Sequence, residues 1–153
     1  MNTKNFQCYS WQEYWSYCHD ITRQILVAGN TYQQVIAITR GGFYLGDYIS
    51  RHLQIPLAVI AVKSYGDENH QQHDIRIGAL SFVEKPQGHI LLVDDLVDTG
   101  VTLQMVRDQL ITDFFVTVET AVIWHKNHSK FVPDFFYCNT SADDWIIQPF
   151  EVH

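Results

Sequence analysis

Hydrophobic residues along this chain recur in two rhythms. Trp11, Tyr14, Trp15, Cys18, Ile21 and Ile25 return at three- and four-residue intervals, the spacing of one face of an α-helix. Ser10 and Glu13 stand three apart at the start of that stripe, as a capping box requires, and Gly29 marks its expected end. Further along, apolar residues run together in strand-length blocks at 34–39 (QVIAIT), 56–62 (PLAVIAV), 90–93 (ILLV), 116–124 (VTVETAVIW) and 134–138 (DFFYC). Residues 43–53 and 102–111 read as helices between them. Strands apolar on both faces and separated by helices predict a parallel sheet covered on both sides. Ligands of such sheets bind at the carboxyl ends of the strands.

One stretch breaks the rhythm. Residues 64–79 (SYGDENHQQHDIRIGA) are hydrophilic and too long for an ordinary connector. They read either as a lid over the strand ends or as a plain surface hairpin with 74–82 as its returning strand. Repeats and Pro/Gly-rich linkers are lacking, so a single domain over 1–153 is expected.

Composition narrows the function. Hydrophobic residues make up 46% and charged residues 18% of the chain, an ordinary globular balance. Every apolar run is strand-length, well below the ~20 residues of a membrane span. The formal charge of −7 argues against a nucleic-acid surface, which draws its affinity from Lys and Arg on phosphates. It leaves room for a small phosphorylated ligand held by a few local donors. Cys8, Cys18 and Cys138 are scattered, and the N-terminus has no basic-then-apolar pattern, so a reducing cytoplasm is expected. His70 and His73 (HQQH) have no further ligands at metal-binding spacing.

Residues 90–103 (ILLVDDLVDTGVTL) concentrate the candidate chemistry. Asp94 to Thr102 leave a strand and open a helix, where unpaired N–H groups and the helix dipole favour an anion. Gly100 permits close approach of the backbone, and Thr99 and Thr102 add hydroxyl donors. Asp94, Asp95 and Asp98 cannot face a phosphate, but carboxylates accept bonds from sugar hydroxyls and hold Mg²⁺. A phosphorylated ribose bearing a pyrophosphate satisfies every residue type in the stretch.

The run resembles the phosphoribosyl pyrophosphate (PRPP) signature of the type I phosphoribosyltransferases. That resemblance implies the family fold, a central parallel sheet with helices on both faces plus a small C-terminal hood (about 126–153) and a flexible lid loop (about 64–79). It assigns phosphate binding to Asp98, Thr99, Gly100, Val101 and Thr102, ribose and metal binding to Asp94 and Asp95, and Mg²⁺ itself to Asp95. Arg40, Gly41 and Gly42 resemble the pyrophosphate loop, with a cis Thr39–Arg40 peptide. Lys126, Trp145, Ile146 and Glu151 resemble the base pocket of the 6-oxopurine enzymes, closest to the xanthine-guanine phosphoribosyltransferases. The implied activity is Mg²⁺-dependent transfer of the 5-phosphoribosyl group to N9 of guanine, xanthine or hypoxanthine, in purine salvage, with Asp98 as the catalytic residue. PRPP and a purine base are the implied partners, and a homo-oligomer (dimer or tetramer) is expected. Alternatives are a regulator of the same fold that senses PRPP or nucleotides, and an enzyme for another base. A haloacid dehalogenase-type phosphatase would carry D-x-D near the N-terminus, and a response-regulator acid pocket does not predict the D-T-G-x-T turn.

Overall fold

A computed structural model describes residues 4–65 and 74–152. The elements are β1 (Asn5–Cys8), α1 (Trp11–Ala28), β2 (Gln34–Thr39), α2 (Phe43–Leu53), β3 (Leu57–Tyr65), β4 (Asp74–Ser81), β5 (His89–Val93), β6 (Leu96–Val97), α3 (Val101–Phe114), β7 (Thr117–Lys126), β8 (Phe135–Thr140) and β9 (Asp144–Ile147). The main sheet runs β4-β3-β2-β5-β7-β6, with β8 also on β7. All its pairings are parallel except β3 with β4.

The continuous apolar runs have the expected cause, since both faces of the central strands are buried. Along β5, Leu91 and Val93 face Tyr14, Cys18, Ile21 and Ile25 of α1 and Leu45 and Ile49 of α2. Ile90 and Leu92 face the opposite way, toward Leu103, Val106 and Leu110 of α3. Each buried aliphatic chain contributes roughly 1.5–3 kcal/mol. α1 begins where the capping box places it: the Ser10 hydroxyl accepts from the Glu13 N–H at 3.2 Å, and the Glu13 carboxylate accepts from Ser10 N–H at 2.8 Å. It ends at Gly29 with φ 75°. Its aromatic stripe divides. Tyr14 is fully buried, whereas Trp11 and Trp15 are half-exposed and stack on each other, and Trp15 stacks again on Tyr48.

Two features add to the expected elements. Ser64 and Tyr65 end β3, and residues 74–79 belong to β4, so both flanks of the long hydrophilic stretch are paired antiparallel strands. Residues 66–73, with His70 and His73 and the centre of the expected lid, lie outside the described residues. The hood also uses the N-terminus, because β1 pairs in parallel with β9 as a separate two-stranded sheet. No helix among the described residues is long and apolar enough to cross a membrane.

Candidate active site

The carboxyl ends of β2, β5 and β7 deliver Thr39, Val93 and Lys126 to one side of the sheet. Between β5 and α3 the chain is held down by a short strand that the sequence did not announce. β6 pairs with Trp124 and His125 of β7, and the Asp95 carbonyl accepts from Ile123 and Trp124 N–H groups at 2.9 and 3.1 Å. The turn that follows reaches α3 through Gly100, which has φ 89° and supplies no side-chain cap. The Thr99 hydroxyl reaches the Val101 N–H only at 3.4 Å, so the first-turn amides are left for an outside acceptor. A cavity of about 130 Å³ lies there, lined by Asp94, Leu96, Val97, Asp98, Thr99, Gly100, Thr102 and Leu103. Its size and donors suit one phosphate group.

The two leading aspartates meet the Arg40-Gly41-Gly42 loop. The Thr39–Arg40 peptide is cis, as the resemblance implied. A Cβ on Gly41 would fall inside the Asp95 carboxylate, and one on Gly42 would lie 2.9 Å from Asp94 Cα, so only glycines allow the loop to nest there. Asp95 accepts from Leu96 N–H at 2.7 Å and from the Gln148 side-chain amide. Asp94 accepts from Asp95 N–H at 2.9 Å. Burial, and then the neighbouring Asp95 charge, hold the Asp94 carboxyl well above the usual carboxylate range. Negative charge at this pair is therefore undercompensated by the protein alone.

That donor set fits a divalent cation arriving with a substrate. Mg²⁺ is commonly held by one or two carboxylates together with substrate phosphates and water. Among the described residues no group of three or more His, Cys, Asp or Glu side chains forms a complete protein cage. Asp95, with Asp94 beside it, would supply the protein's share. On the far side of Asp95 a larger cavity of about 640 Å³ is lined by Arg40, Gly41, Tyr44, Asp95, Phe150, Glu151 and Val152.

Asp98 projects outward, with its side chain 57% exposed. Lys126 Nζ lies 3.7 Å from one carboxylate oxygen, and His128 Nε2 lies 2.9 Å from the other. Lys126 is not the solvated surface lysine that its type favours. It is 7% exposed, and its ammonium also approaches the Ala142 carbonyl at 3.4 Å. Trp145 on β9 is 47% exposed, and Lys4 Nζ stands 4.1 Å over its ring. Ile146 is buried beside it, paired with Gln7. Glu151 is committed locally: its carboxylate accepts from Gln148 N–H at 2.7 Å, and its N–H donates to the Gln148 carbonyl at 3.1 Å.

The candidate residues thus fall into three adjoining groups, namely the phosphate turn, the acidic pair under the Arg40 loop, and Lys126 beside Asp98. Trp145, Ile146 and Glu151 stand in the hood segment that reaches the acidic pair through Gln148. Sequence reasoning missed Gln148, His128, and the cross-strand pair Lys63 and Arg76, which line a third cavity of about 560 Å³ with Arg40. Lys63 and Arg76 are thirteen residues apart and meet only through the β3–β4 pairing, where both cations stand over the Tyr65 ring at 4.8 and 4.9 Å, so no local signal could have found them.

Residues 9–153 match the Phosphoribosyl transferase domain family. Over 146 residues the chain is 34% identical to a xanthine-guanine phosphoribosyltransferase of Idiomarina loihiensis, covering 94% of this chain and 86% of that one. A xanthine-guanine phosphoribosyltransferase of Cereibacter sphaeroides is 35% identical over 79% of this chain and 70% of its own. The fold superposes on a purine phosphoribosyltransferase from Pyrococcus horikoshii with a TM-score of 0.82 at 23% identity, covering 97% and 96% of the two chains.

Proposed function

The chain belongs to the phosphoribosyl transferase domain family, and from that premise we propose that it transfers the 5-phosphoribosyl group of PRPP to N9 of a 6-oxopurine, releasing pyrophosphate in purine salvage. The observation that carries this reading is the pairing of an open phosphate turn with a buried lysine. Gly100 and its neighbours form the 130 Å³ cradle, and Lys126 stands 3.7 Å from Asp98 just beyond it.

The 5′-phosphate occupies the amides and hydroxyls of Thr99 to Thr102. Asp94 and Asp95 accept bonds from the ribose diol. When bound at Asp95, Mg²⁺ supplies positive charge to the pyrophosphate oxygens. Arg40 and the amides of Gly41 and Gly42 hold the same leaving group. On a 6-oxopurine, O6 and N7 are neighbours along one edge, and Lys126 and Asp98 match them as donor and acceptor. In the N7–H tautomer the N9 lone pair is free to attack the anomeric carbon. The C1–O bond to pyrophosphate breaks through an oxocarbenium-like state as the C1–N9 bond forms, and the proton lost from N7 passes to Asp98. An adenine amine offers Lys126 no acceptor, which favours the oxopurines. Trp145 supplies a stacking ring, while Ile146 and Glu151 border the base.

We place this reaction in the cytoplasm and read the working form as a homo-oligomer, with the half-exposed Trp11 and Trp15 as the surface to cover. Light scattering on the purified chain tests the second point. The function itself is tested by supplying guanine, xanthine, hypoxanthine and adenine in turn with PRPP and Mg²⁺. Nucleotide formed from one or more oxopurines, and little from adenine, is the expected result. Inertness toward every purine would overturn the reading.

A further inference from the structure

Asp98 is held from two directions, and the two holds differ. Lys126 Nζ at 3.7 Å is beyond hydrogen-bond length, whereas His128 Nε2 at 2.9 Å is well within it. A carboxylate only accepts, so Nε2 carries the hydrogen and donates. Lys126 also has other calls on its ammonium. It already leans toward the Ala142 carbonyl at 3.4 Å, and in the reading above it turns to the purine O6. Each shift takes it away from Asp98 at the moment when that carboxylate must accept a proton.

Among the described residues the His128 ring has no partner but Asp98, and its turn is fastened on both sides. Ser129 N–H donates to the Lys126 carbonyl at 3.0 Å, and Asn127 N–H donates to Thr140 at 2.9 Å. Beyond it, the Ser129 hydroxyl donates to the Phe131 carbonyl at 2.9 Å and accepts from the Phe131 N–H at 3.1 Å. This same turn presses on the phosphate turn, because a Cβ on Gly100 would stand 2.8 Å from Ser129 Oγ. The backbone carrying His128 is thereby fixed relative to the one carrying Asp98.

We propose that His128 is a positioning residue for Asp98: its Nε2–H keeps the carboxylate aimed at the base once Lys126 has turned to the purine carbonyl. The proposal rests on Asp98 being the proton acceptor. His128 is partly exposed on a turn, so its substitution leaves the core intact.

The test is steady-state kinetics of the wild type, His128→Leu and His128→Gln with PRPP, Mg²⁺ and each oxopurine, alongside thermal melts of all three. His128→Leu is expected to lower kcat roughly 10- to 100-fold, the scale on which a misplaced reacting group acts, with the KM for PRPP and the melting temperature nearly unchanged. His128→Gln, whose side-chain N–H can reach the same oxygen, is expected to recover most of the loss. An unchanged kcat in His128→Leu, a KM for PRPP that rises in step with the loss, or a Gln variant no better than Leu overturns the proposal. Those results in an active wild type leave the enzymatic reading standing. A wild type inert with every base removes both.

Discussion

Replacing Asp94 with Asn is expected to stabilise the ligand-free protein while disabling it. Asp94 is partly buried, accepts a hydrogen bond from Asp95 N–H at 2.9 Å, and lies against a second carboxylate. Burial first, and the Asp95 charge second, raise its pKa well above the ordinary carboxylate value, which in the unfolded chain is ~3.9. The folded state therefore binds this proton more tightly than the unfolded state does. Ionised Asp94 opposes folding, fully so above its raised pKa and not at all below the unfolded value. Asn keeps the shape and the acceptor for Asp95 N–H but carries no charge. Because the group is not wholly dry, the gain at neutral pH is set at about 1 kcal/mol, within the range of single stabilising substitutions. In a chain of 153 residues that raises Tm by about 2–4 °C. Melts of both proteins in EDTA, from about pH 8 down to about pH 4, read the effect, and the gap is expected to close as pH falls through the raised Asp94 pKa. An Asn variant that melts below the wild type at neutral pH, or a gap that widens on acidification, would refute the reasoning. In the same preparations turnover falls, because the ribose loses an anionic acceptor.

Four further substitutions separate the site from the scaffold. Asp98→Ala should cut kcat by roughly 10²–10⁴-fold, as loss of a general base does, with PRPP affinity by calorimetry little changed; equal losses in both would remove its proposed role. Lys126→Met keeps the aliphatic stem and deletes a charged donor, so the KM for oxopurines should rise roughly 10- to 100-fold while PRPP binding holds. Gly100→Ala forces a Cβ into a φ of 89° and against Ser129 and Phe131, costing at least about 1–2 kcal/mol and weakening PRPP binding in a direct titration. Ser10→Ala removes the α1 cap, costs about 1 kcal/mol in a thermal melt, and leaves the kinetics untouched.

The parts of the fold that were legible in the sequence are those encoded locally. The capping box at Ser10 and Glu13, the stop at Gly29, and the apolar runs of β2 and β5 each carry their own signal over a few residues. What escaped depends on partners distant in the chain. β1 is a strand because β9 lies alongside it, with Asn5 opposite Asp144, and nothing in NFQC announces that pairing. β6 has two residues, too short for any periodicity, and is a strand only because Trp124 and His125 accept it. The hydrophilic stretch after Lys63 was read by composition. Its flanks are strands because backbone pairing along an antiparallel edge, with apolar cross-strand pairs such as Val62 with Ile77, zips them together.

The same division governs the site, and there it carries a physical consequence. The D-T-G-x-T turn was readable as a strand-to-helix turn because glycine and threonine spacing reports backbone directly. The acidic pair was readable as chemistry but not as geometry. Asp95 is fixed by three segments at once: its own turn through Leu96, the Arg40 loop through the missing Cβ of Gly41, and the hood through Gln148. Gln148 is 4% exposed and stands next to the Glu151 turn, whose Phe150 stacks on Tyr44 at the head of α2. On the proposed reading, a base settling against the hood would push on the same carboxylate that the ribose and a metal would use. Loosening Gln148, as in Gln148→Leu, should weaken PRPP binding measured by calorimetry with Mg²⁺ by roughly 10- to 100-fold, as loss of an outer hydrogen bond to a metal-site carboxylate does, although Gln148 itself lies in the hood, the proposed base half of the site. If PRPP affinity stays level while only the KM for purine moves, the two halves are independent and Asp95 is held by its own turn alone.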